Sequence, residues 1–184
     1  MRIGIDIDDT ICSTTEIVQD RLEKYSLEFN LNDLDIMNDE ELKTNFFNIY
    51  MEDIYSNVLV KKNCSSVLKR LKEKGHEIYL ITGRGRFFKT TSHDIFQITE
   101  EWLKKNDIDV DMMIAAAYGE TKADVCRKYH IDIMVDDDPF NYKKITSIGK
   151  KCLLFDDHAK YALKEDYVTD WLEVEKEINK INKG

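Results

Sequence analysis

The chain has 184 residues, 42% hydrophobic and 34% charged, which is enough for one α/β core with a modest insertion. Its net charge of −9 argues against binding to a nucleic acid polymer or to an anionic membrane surface. With only one Pro and 7 Gly, the composition also argues against long disordered linkers.

The cysteines, which are Cys12, Cys64, Cys126 and Cys152, form no CxxC pair and have no zinc-ligand spacing. This pattern predicts four reduced, mostly buried thiols in a cytoplasmic protein. No apolar run reaches the roughly 18–20 residues of a membrane-spanning helix, and the first residues lack the layout of a signal peptide. The sequence leaves open whether the chain forms a homo-oligomer.

A helical block is expected directly after the first strand. Residues 2–6 read as a buried strand, and "STTE" at 13–16 has the form of a capping box that begins a helix. Apolar residues at helical spacing continue that helix to about residue 29. "NDEE" at 38–41 indicates a second helix start with acids in its first turn. We therefore expect residues 13–60 to be helical, without strands.

Beyond the helical block, strands and helices alternate. The predicted elements are a short helix ended by Gly75, a strand at 77–82, a helix at 94–105, a strand at 111–116, a helix at 121–130, a strand at 131–138, a helix opened by Pro139, a strand at 151–155 and a helix at 169–181. This alternation predicts a parallel sheet with helices on both faces. The expected fold is a Rossmann-like α/β core of residues 1–12 and 61–184, with a small helical cap at 13–60.

Polar side chains follow three of the predicted strands. They are Asp6, Asp8 and Asp9 at the end of the first strand, Thr82, Gly83 and Arg84 at the end of the second, and Asp136, Asp137 and Asp138 at the end of the fourth, while Lys122 begins the helix between the third and fourth strands. Ligands of open parallel sheets bind outside the carboxyl ends of the strands, so these groups are expected to converge. Carboxylates at close range repel one another, and a divalent cation removes that conflict. All-oxygen ligands favour Mg²⁺.

Each of these features alone has a plainer interpretation. The first acids can form an ordinary turn that caps a helix, Thr-Gly is common after strands, a helical lysine is usually solvated, and the last acids can form a solubilising loop. The four features in this order, each at a strand end or an adjoining helix, are much harder to reach by chance.

Taken together, the residues resemble the motifs of the haloacid dehalogenase-like (HAD) phosphohydrolases. The matching positions are "DIDDT" at 6–10, Thr82 in "LITGR", Lys122 in "GETKADVC" and Asp136-Asp137 in "IMVDDDP". Within that superfamily, the helical insertion, "ITEEWLKKNDI", "KADVCRKYHIDIMVDDDP" and "VTDW" are similar to bacterial nucleotidases grouped with the 5′(3′)-deoxyribonucleotidases. The chain departs from the deoxyribonucleotidase pattern at Asp9-Thr10, where those enzymes typically have Gly-Val.

The resemblance implies a Mg²⁺-dependent phosphomonoester hydrolase with an aspartyl-phosphate intermediate and a small phosphorylated substrate, expected to be a nucleoside monophosphate. It implies Asp6 as the nucleophile and Asp8 as the general acid and base. The implied metal ligands are the Asp6 side chain, the Asp8 backbone carbonyl and Asp137, with Asp136 in support or in exchange with Asp137. The implied phosphate-binding groups are Thr82, Gly83 and Lys122.

Substrate specificity is expected to come from the cap. The stretch "NFFNIYMEDIY" at 45–55 offers Phe46, Phe47 and Tyr50 as candidates for stacking on a nucleobase. The alternative for each ring is packing within the cap itself.

Two arginines, Arg84 and Arg86, follow Thr82 on the same loop and are candidates for contact with a phosphate or a substrate hydroxyl. Solvated surface arginines are the alternative. "LLFDDHA" at 153–159 imitates the fourth motif, but it is expected at the sheet edge and peripheral to the metal.

Two other functions fit part of the pattern. A phosphatase for sugar phosphates or other small phosphomonoesters would use the same motifs, and only substrate profiling separates it from a nucleotidase. A receiver-like signalling domain also combines acidic strand ends, a Thr and a Lys, but it takes its phosphate on a mid-chain strand. The DxD pair at Asp6 and Asp8 favours an enzyme, because the second aspartate supplies a general acid.

Overall fold

The structure is a computed structural model that describes residues 1–84, 94–117, 119–161 and 166–181. Its strands are β1 (Arg2–Ile5), β2 (Glu77–Thr82), β3 (Met112–Ala115), β4 (Ile133–Asp136), β5 (Lys151–Phe155) and β6 (Tyr167–Val168). Its helices are α1 (Thr14–Phe29), α2 (Asp33–Asn38), α3 (Glu40–Asn57), α4 (Cys64–Glu73), α5 (Ile95–Lys105), α6 (Lys122–Lys128), α7 (Pro139–Ser147) and α8 (Trp171–Ile181). The predicted alternation of strands and helices is confirmed.

The six strands form one parallel sheet in the order β3-β2-β1-β4-β5-β6. The first strand is central, and Ile3 pairs with Ile78 on one side and with Ile133 on the other. A Cβ atom at Gly4 would come within 2.8 Å of the Met134 sulfur, so a larger residue there would have to displace neighbouring side chains. The carboxyl ends of β1, β2 and β4 therefore lie side by side, where the strand order reverses. The predicted Rossmann-like α/β fold is confirmed.

The strand β6 was not predicted, and it corrects the expected sheet edge. Tyr167 pairs with Leu154, so β6 and not β5 is the outermost strand on this side. A two-residue strand is too short to produce a recognisable alternation of apolar and polar residues.

The helical block packs around its own apolar cluster, which adjoins one of the sheet clusters through Ile17. This cluster includes Leu22, Phe46 and Ile54, and it is completed by Ile95 from α5. The prediction that 13–60 is helical and lacks strands is confirmed, whereas its treatment as a separate cap stays a prediction.

The predicted capping box at the start of α1 is wrong. Ser13 makes no side-chain capping hydrogen bond. The Asp9 carboxylate instead accepts hydrogen bonds from the backbone N–H of Thr15, at 2.9 Å, and from its hydroxyl. Asp9 has a φ of 57°, and this left-handed turn brings its carboxylate back onto the first turn of the helix.

The four cysteines are buried free thiols, as predicted. Among the residues that the structure describes, no helix combines the length and the apolar character needed to cross a membrane.

Candidate active site

The ends of β1, β2 and β4 border one cavity of about 410 Å³. The predicted site residues that line it are Asp6, Asp8, Thr82, Gly83, Lys122 and Asp137. These residues come from positions as far apart as 6 and 137 in the chain, and the order of the parallel strands brings them together. Their chemical roles stay predictions.

Lys122 links the first and fourth strands electrostatically. Its ammonium lies 2.6 Å from the Asp6 carboxylate and 2.8 Å from that of Asp136. The helix α6 begins with a capping box, in which the side chains of Thr121 and Asp124 each accept a hydrogen bond from the other residue's backbone N–H. This box fixes the position of Lys122, the first residue of the helix. Burial alone would lower the pKa of Lys122, but the two carboxylates raise it above the usual lysine value. Lys122 is therefore a fixed cation at the cavity wall.

The carboxylates crowd one another as expected. Burial raises the pKa of Asp6 well above its ordinary value; Lys122 opposes this shift, and the charge of Asp136 adds to it. Burial, together with the charge of Asp136, also raises the pKa of Asp137 to about 6. A cation held between these groups would relieve the repulsion.

Side-chain oxygens of Asp6, Asp136 and Asp137 lie within 4.8 Å of one another, and this all-oxygen set fits Mg²⁺. The two acids of the fourth strand differ in their surroundings. Asp136 is fully buried, and its oxygens accept hydrogen bonds from Lys122, the backbone N–H of Asp138 and the side chain of Asn141. Asp137 lines the cavity and accepts one long hydrogen bond of 3.5 Å from the Thr10 hydroxyl. Asp137 is therefore better placed to hold a metal.

Asn141 is a further residue of the candidate site, and it lies outside the four sequence motifs. Its side-chain amide donates a 3.1 Å hydrogen bond to Asp136, and it lines the cavity. Asn141 lies in the first turn of a helix that Asp138 caps, directly after the acidic motif. This position in the sequence indicates that its side chain lies near the acids.

The Thr82 hydroxyl is buried at the end of β2 and accepts a 3.0 Å hydrogen bond from the backbone N–H of Arg84. Because this contact uses a lone pair of the oxygen, the hydroxyl proton remains available for donation. Gly83 is exposed beside it and lines the same cavity.

The expected contact of Arg84 with substrate is corrected, as is the alternative that it is a solvated surface arginine. Arg84 is only 3% exposed, and its guanidinium donates to the Asp8 carboxylate at 2.8–3.1 Å. The Thr14 hydroxyl donates to the same carboxylate at 2.6 Å. Although burial alone would raise the pKa of Asp8, Arg84 and Thr14 lower it below the ordinary value. Arg86 lies outside the described residues.

The cap aromatics pack against one another and do not line the cavity described above. Phe46 is fully buried, with its ring centroid 5.0 Å from that of Phe47 and 5.4 Å from that of Tyr50. This placement corrects the expectation that Phe46 is presented to a nucleobase. Among the residues that the structure describes, the aromatic ring that lines the cavity is Phe140, which is 60% exposed in the first turn of α7.

The segment "LLFDDHA" at 153–159, which resembles the fourth motif, has a structural role in this fold. Asp156 accepts 2.8 Å hydrogen bonds from the backbone N–H groups of Lys160 and Tyr161. Asp157 forms an ion pair with the buried Lys61. Among the described residues, neither acid belongs to the carboxylate group whose oxygens could hold a metal, and their peripheral position relative to a metal stays a prediction.

The chain is similar in sequence and in fold to phosphohydrolases. "Putative nucleotidase YqfW" from Bacillus subtilis (strain 168) is 30% identical over 148 residues, which cover 74% of this chain and 70% of that protein. No family model matches the chain.

Two solved structures share the fold over nearly their whole lengths. The haloacid dehalogenase-like hydrolase SP0104 from Streptococcus pneumoniae superimposes with a TM-score of 0.70 at 12% identity, covering 96% of this chain and 97% of that one. The HAD-hydrolase YfnB from Bacillus subtilis, bound to magnesium, gives a TM-score of 0.67 at 10% identity, with 97% and 98% covered. With the sequence relative and the four motifs, these likenesses show that the chain belongs to the HAD superfamily of phosphohydrolases.

Proposed function

We propose that this protein is a Mg²⁺-dependent phosphomonoester hydrolase that works through an aspartyl-phosphate on Asp6 and acts on nucleoside monophosphates as a 5′(3′)-nucleotidase. The observation that carries the proposal is the cavity that Asp6, Asp8 and Lys122 line together at the carboxyl ends of the sheet. The nucleotide as substrate is supported by the name of the B. subtilis relative, which is called a nucleotidase.

In the proposed reaction, an Asp6 oxygen attacks the phosphorus of the ester and forms a P–O bond. Asp8 rests as the carboxylate, because Arg84 and Thr14 lower its pKa, so it takes up a proton when the substrate binds. The bond from phosphorus to the ester oxygen breaks, its electron pair leaves with that oxygen, and Asp8 donates that proton to complete the product alcohol. Water then attacks the aspartyl-phosphate while Asp8 accepts a proton from it. The bond from phosphorus to Asp6 breaks, releasing inorganic phosphate and restoring both aspartates.

Lys122 and Thr82 would hold the phosphoryl oxygens on which negative charge must be balanced. Lys122 presents an ammonium at the cavity wall, and Thr82 has a hydroxyl proton available for donation. Gly83 lines the cavity beside them and is proposed as a further phosphate-binding position.

The residues proposed to hold Mg²⁺ are Asp6, Asp137 and the backbone carbonyl of Asp8, while Asp136 supports them by binding Lys122 and Asn141. A bound Mg²⁺ would balance the charge of the phosphoryl group and of the crowded carboxylates. We expect the protein to be located in the cytoplasm, on the basis of its four reduced thiols. Whether the chain forms a homo-oligomer stays open.

The test is phosphate release from 5′- and 3′-nucleoside monophosphates, in deoxy and ribo forms, and from sugar phosphates, each with Mg²⁺ and with EDTA. Asp6→Asn is the inactive control, and Asp157→Asn removes a carboxylate from the peripheral pair. We expect Mg²⁺-dependent release from nucleotides that disappears in Asp6→Asn and persists in Asp157→Asn. A preference for sugar phosphates would keep the chemistry and replace the substrate. Stable labelling by acetyl phosphate without release from any ester would support the receiver-like alternative.

A further inference from the structure

Arg84 makes a close ion pair with the proposed general acid. Its Nη2 donates to Oδ1 of Asp8 at 2.8 Å, and its Nε lies 3.1 Å from both carboxylate oxygens. The Arg84 side chain is 1% exposed, whereas that of Asp8 is 33% exposed and lines the cavity. The arginine therefore lies behind the aspartate, on the side away from the space that a substrate would fill.

The guanidinium is itself held from two other elements. Its Nη1 donates a 3.1 Å hydrogen bond to the Thr99 hydroxyl of α5, which in turn donates to the carbonyl of Ile95 at 2.8 Å. The Tyr55 ring of α3 packs over the guanidinium, with the ring centroid 4.2 Å from Cζ. With these contacts the guanidinium has little freedom to rotate, so it can fix the orientation of the carboxylate it binds.

The two oxygens of Asp8 are used unequally. Oδ1 accepts from Nη2 and Nε of Arg84 and from the Thr14 hydroxyl, at 2.6–3.1 Å. Within the part of the chain that the structure describes, Oδ2 accepts a hydrogen bond from Nε alone, at 3.1 Å. An oxygen with three donors has little capacity left to carry a proton, so Oδ2 is the oxygen suited to exchange one with a substrate or with water.

We propose that Arg84 is the positioning residue of Asp8, holding Oδ1 so that Oδ2 is presented to the leaving oxygen of the substrate. This inference rests on the proposed function, because it concerns the proton donor of that reaction. It differs from both alternatives that the sequence left open for Arg84, which were contact with the substrate and solvation at the surface.

The inference predicts that the loss of kcat in a variant with a misplaced Asp8 depends on the leaving group of the substrate. A nucleoside monophosphate releases a strongly basic alkoxide, which needs a well-oriented proton donor as its bond breaks. p-Nitrophenyl phosphate releases a weakly basic phenolate, which leaves with little help from an acid. A variant with a misplaced Asp8 should therefore fail on the first substrate much more than on the second, whereas a lost substrate contact would raise KM for both.

Arg84→Met removes the guanidinium and keeps much of the side-chain length. The chain offers a matched control in Arg70, whose Nε lies 3.1 Å from both Glu175 oxygens and whose Nη2 lies 2.6 Å from one of them, on residues that do not line the cavity. We expect Arg84→Met to lower kcat for a nucleoside monophosphate about 100-fold and kcat for p-nitrophenyl phosphate less than about tenfold. Arg70→Met should leave the ratio of the two rates unchanged.

Thr14→Val is a second variant, for use in case Arg84→Met does not fold. It is a smaller change, because it removes only the Thr14 hydroxyl that donates to Oδ1. It should show the same dependence on the leaving group with a smaller loss. Equal losses on both substrates, or a change confined to KM, would overturn the positioning role while the proposed function stands. Failure of the wild-type protein to hydrolyse either ester would overturn the proposed function and this role with it.

Discussion

The Lys122 ammonium lies 2.6 Å from a carboxylate oxygen of Asp6, the residue proposed to attack the phosphorus. The same ammonium contacts Asp136 at 2.8 Å, so one cation balances two buried acids from neighbouring strands. The Lys122 ammonium therefore offsets part of the repulsion between these carboxylates.

We expect Lys122→Met to lower kcat/KM by about 100-fold or more, because a charge that balances the phosphoryl oxygens is lost. It should also lower the free energy of unfolding in EDTA, since Asp6 and Asp136 would then be buried without a counter-charge. Steady-state kinetics and urea denaturation, with Mg²⁺ and with EDTA, measure the two effects.

Lys128→Met is the matched control for this prediction, because Lys128 is an exposed lysine of the same helix with an ion pair at 3.7 Å. It should leave both quantities nearly unchanged. Full activity in Lys122→Met would contradict the assignment of Lys122 to phosphate binding.

The strand ends could be predicted from the sequence because buried parallel strands produce apolar runs that stop abruptly at polar residues. Asp6, Thr82 and Asp136 follow such runs. Because β2, β1 and β4 are parallel neighbours, these residues lie at the same edge of the sheet. The motif positions therefore needed no knowledge of side-chain packing.

The parts that were missed depend on contacts between distant residues. Arg84 and Asp8 are 76 positions apart, and no local pattern indicates that a loop arginine turns inward to meet an aspartate. Phe46 has the same local sequence whether it faces a substrate or a neighbouring ring, and only the packing of the helices decides. Capping of a helix by the first acids was among the interpretations of the sequence, and Asp9 does bind the start of α1 in place of Ser13, because a left-handed turn brings it there.

The two acids of the fourth motif should respond differently to amide substitution. Asp137→Asn should raise the Mg²⁺ concentration needed for half-maximal activity about 10- to 100-fold, because Asp137 lines the cavity as a proposed ligand. Asp136→Asn should mainly lower stability, because it disturbs the contacts to Lys122, Asn141 and the backbone of Asp138. Mg²⁺ titration of activity and urea denaturation separate these effects.

Asp157→Asn, in the peripheral pair, should not change the Mg²⁺ dependence, since Asp157 binds Lys61. If Asp136→Asn instead produced the larger loss of Mg²⁺ affinity, the two acids would have to exchange their roles.

The metal-free protein should lose stability as the pH rises through the range in which Asp137 ionises. A carboxyl whose pKa is higher in the folded state binds its proton more tightly there, so stability falls between the unfolded and folded pKa values. For Asp137 this range runs from about 4 to about 6, and the contribution is about 1–3 kcal/mol. Urea denaturation in EDTA across this range, in wild type and in Asp137→Asn, measures it.

Asp137→Asn should gain stability relative to wild type as the pH rises from about 4 to 6, and the difference should level off above that range. Saturating Mg²⁺ should stabilise the wild type more at pH 7 than at pH 5, because the metal binds the ionised carboxylate. A difference between the two proteins that does not change with pH would contradict the raised pKa of Asp137.

Recognition of a nucleobase should depend on Phe140 and not on Phe46. Phe140 is 60% exposed and lines the cavity, with the Lys144 ammonium 4.7 Å from its ring centroid, whereas Phe46 is fully buried in the helical block. Phe140→Leu should raise KM for nucleoside monophosphates about tenfold, because base stacking on an aromatic ring contributes about 1–3 kcal/mol. It should have little effect on KM for a small sugar phosphate.

Phe46→Leu should instead lower the free energy of unfolding by about 1–2 kcal/mol and leave both KM values unchanged. A selective rise in the nucleotide KM of Phe46→Leu would return base recognition to the cap.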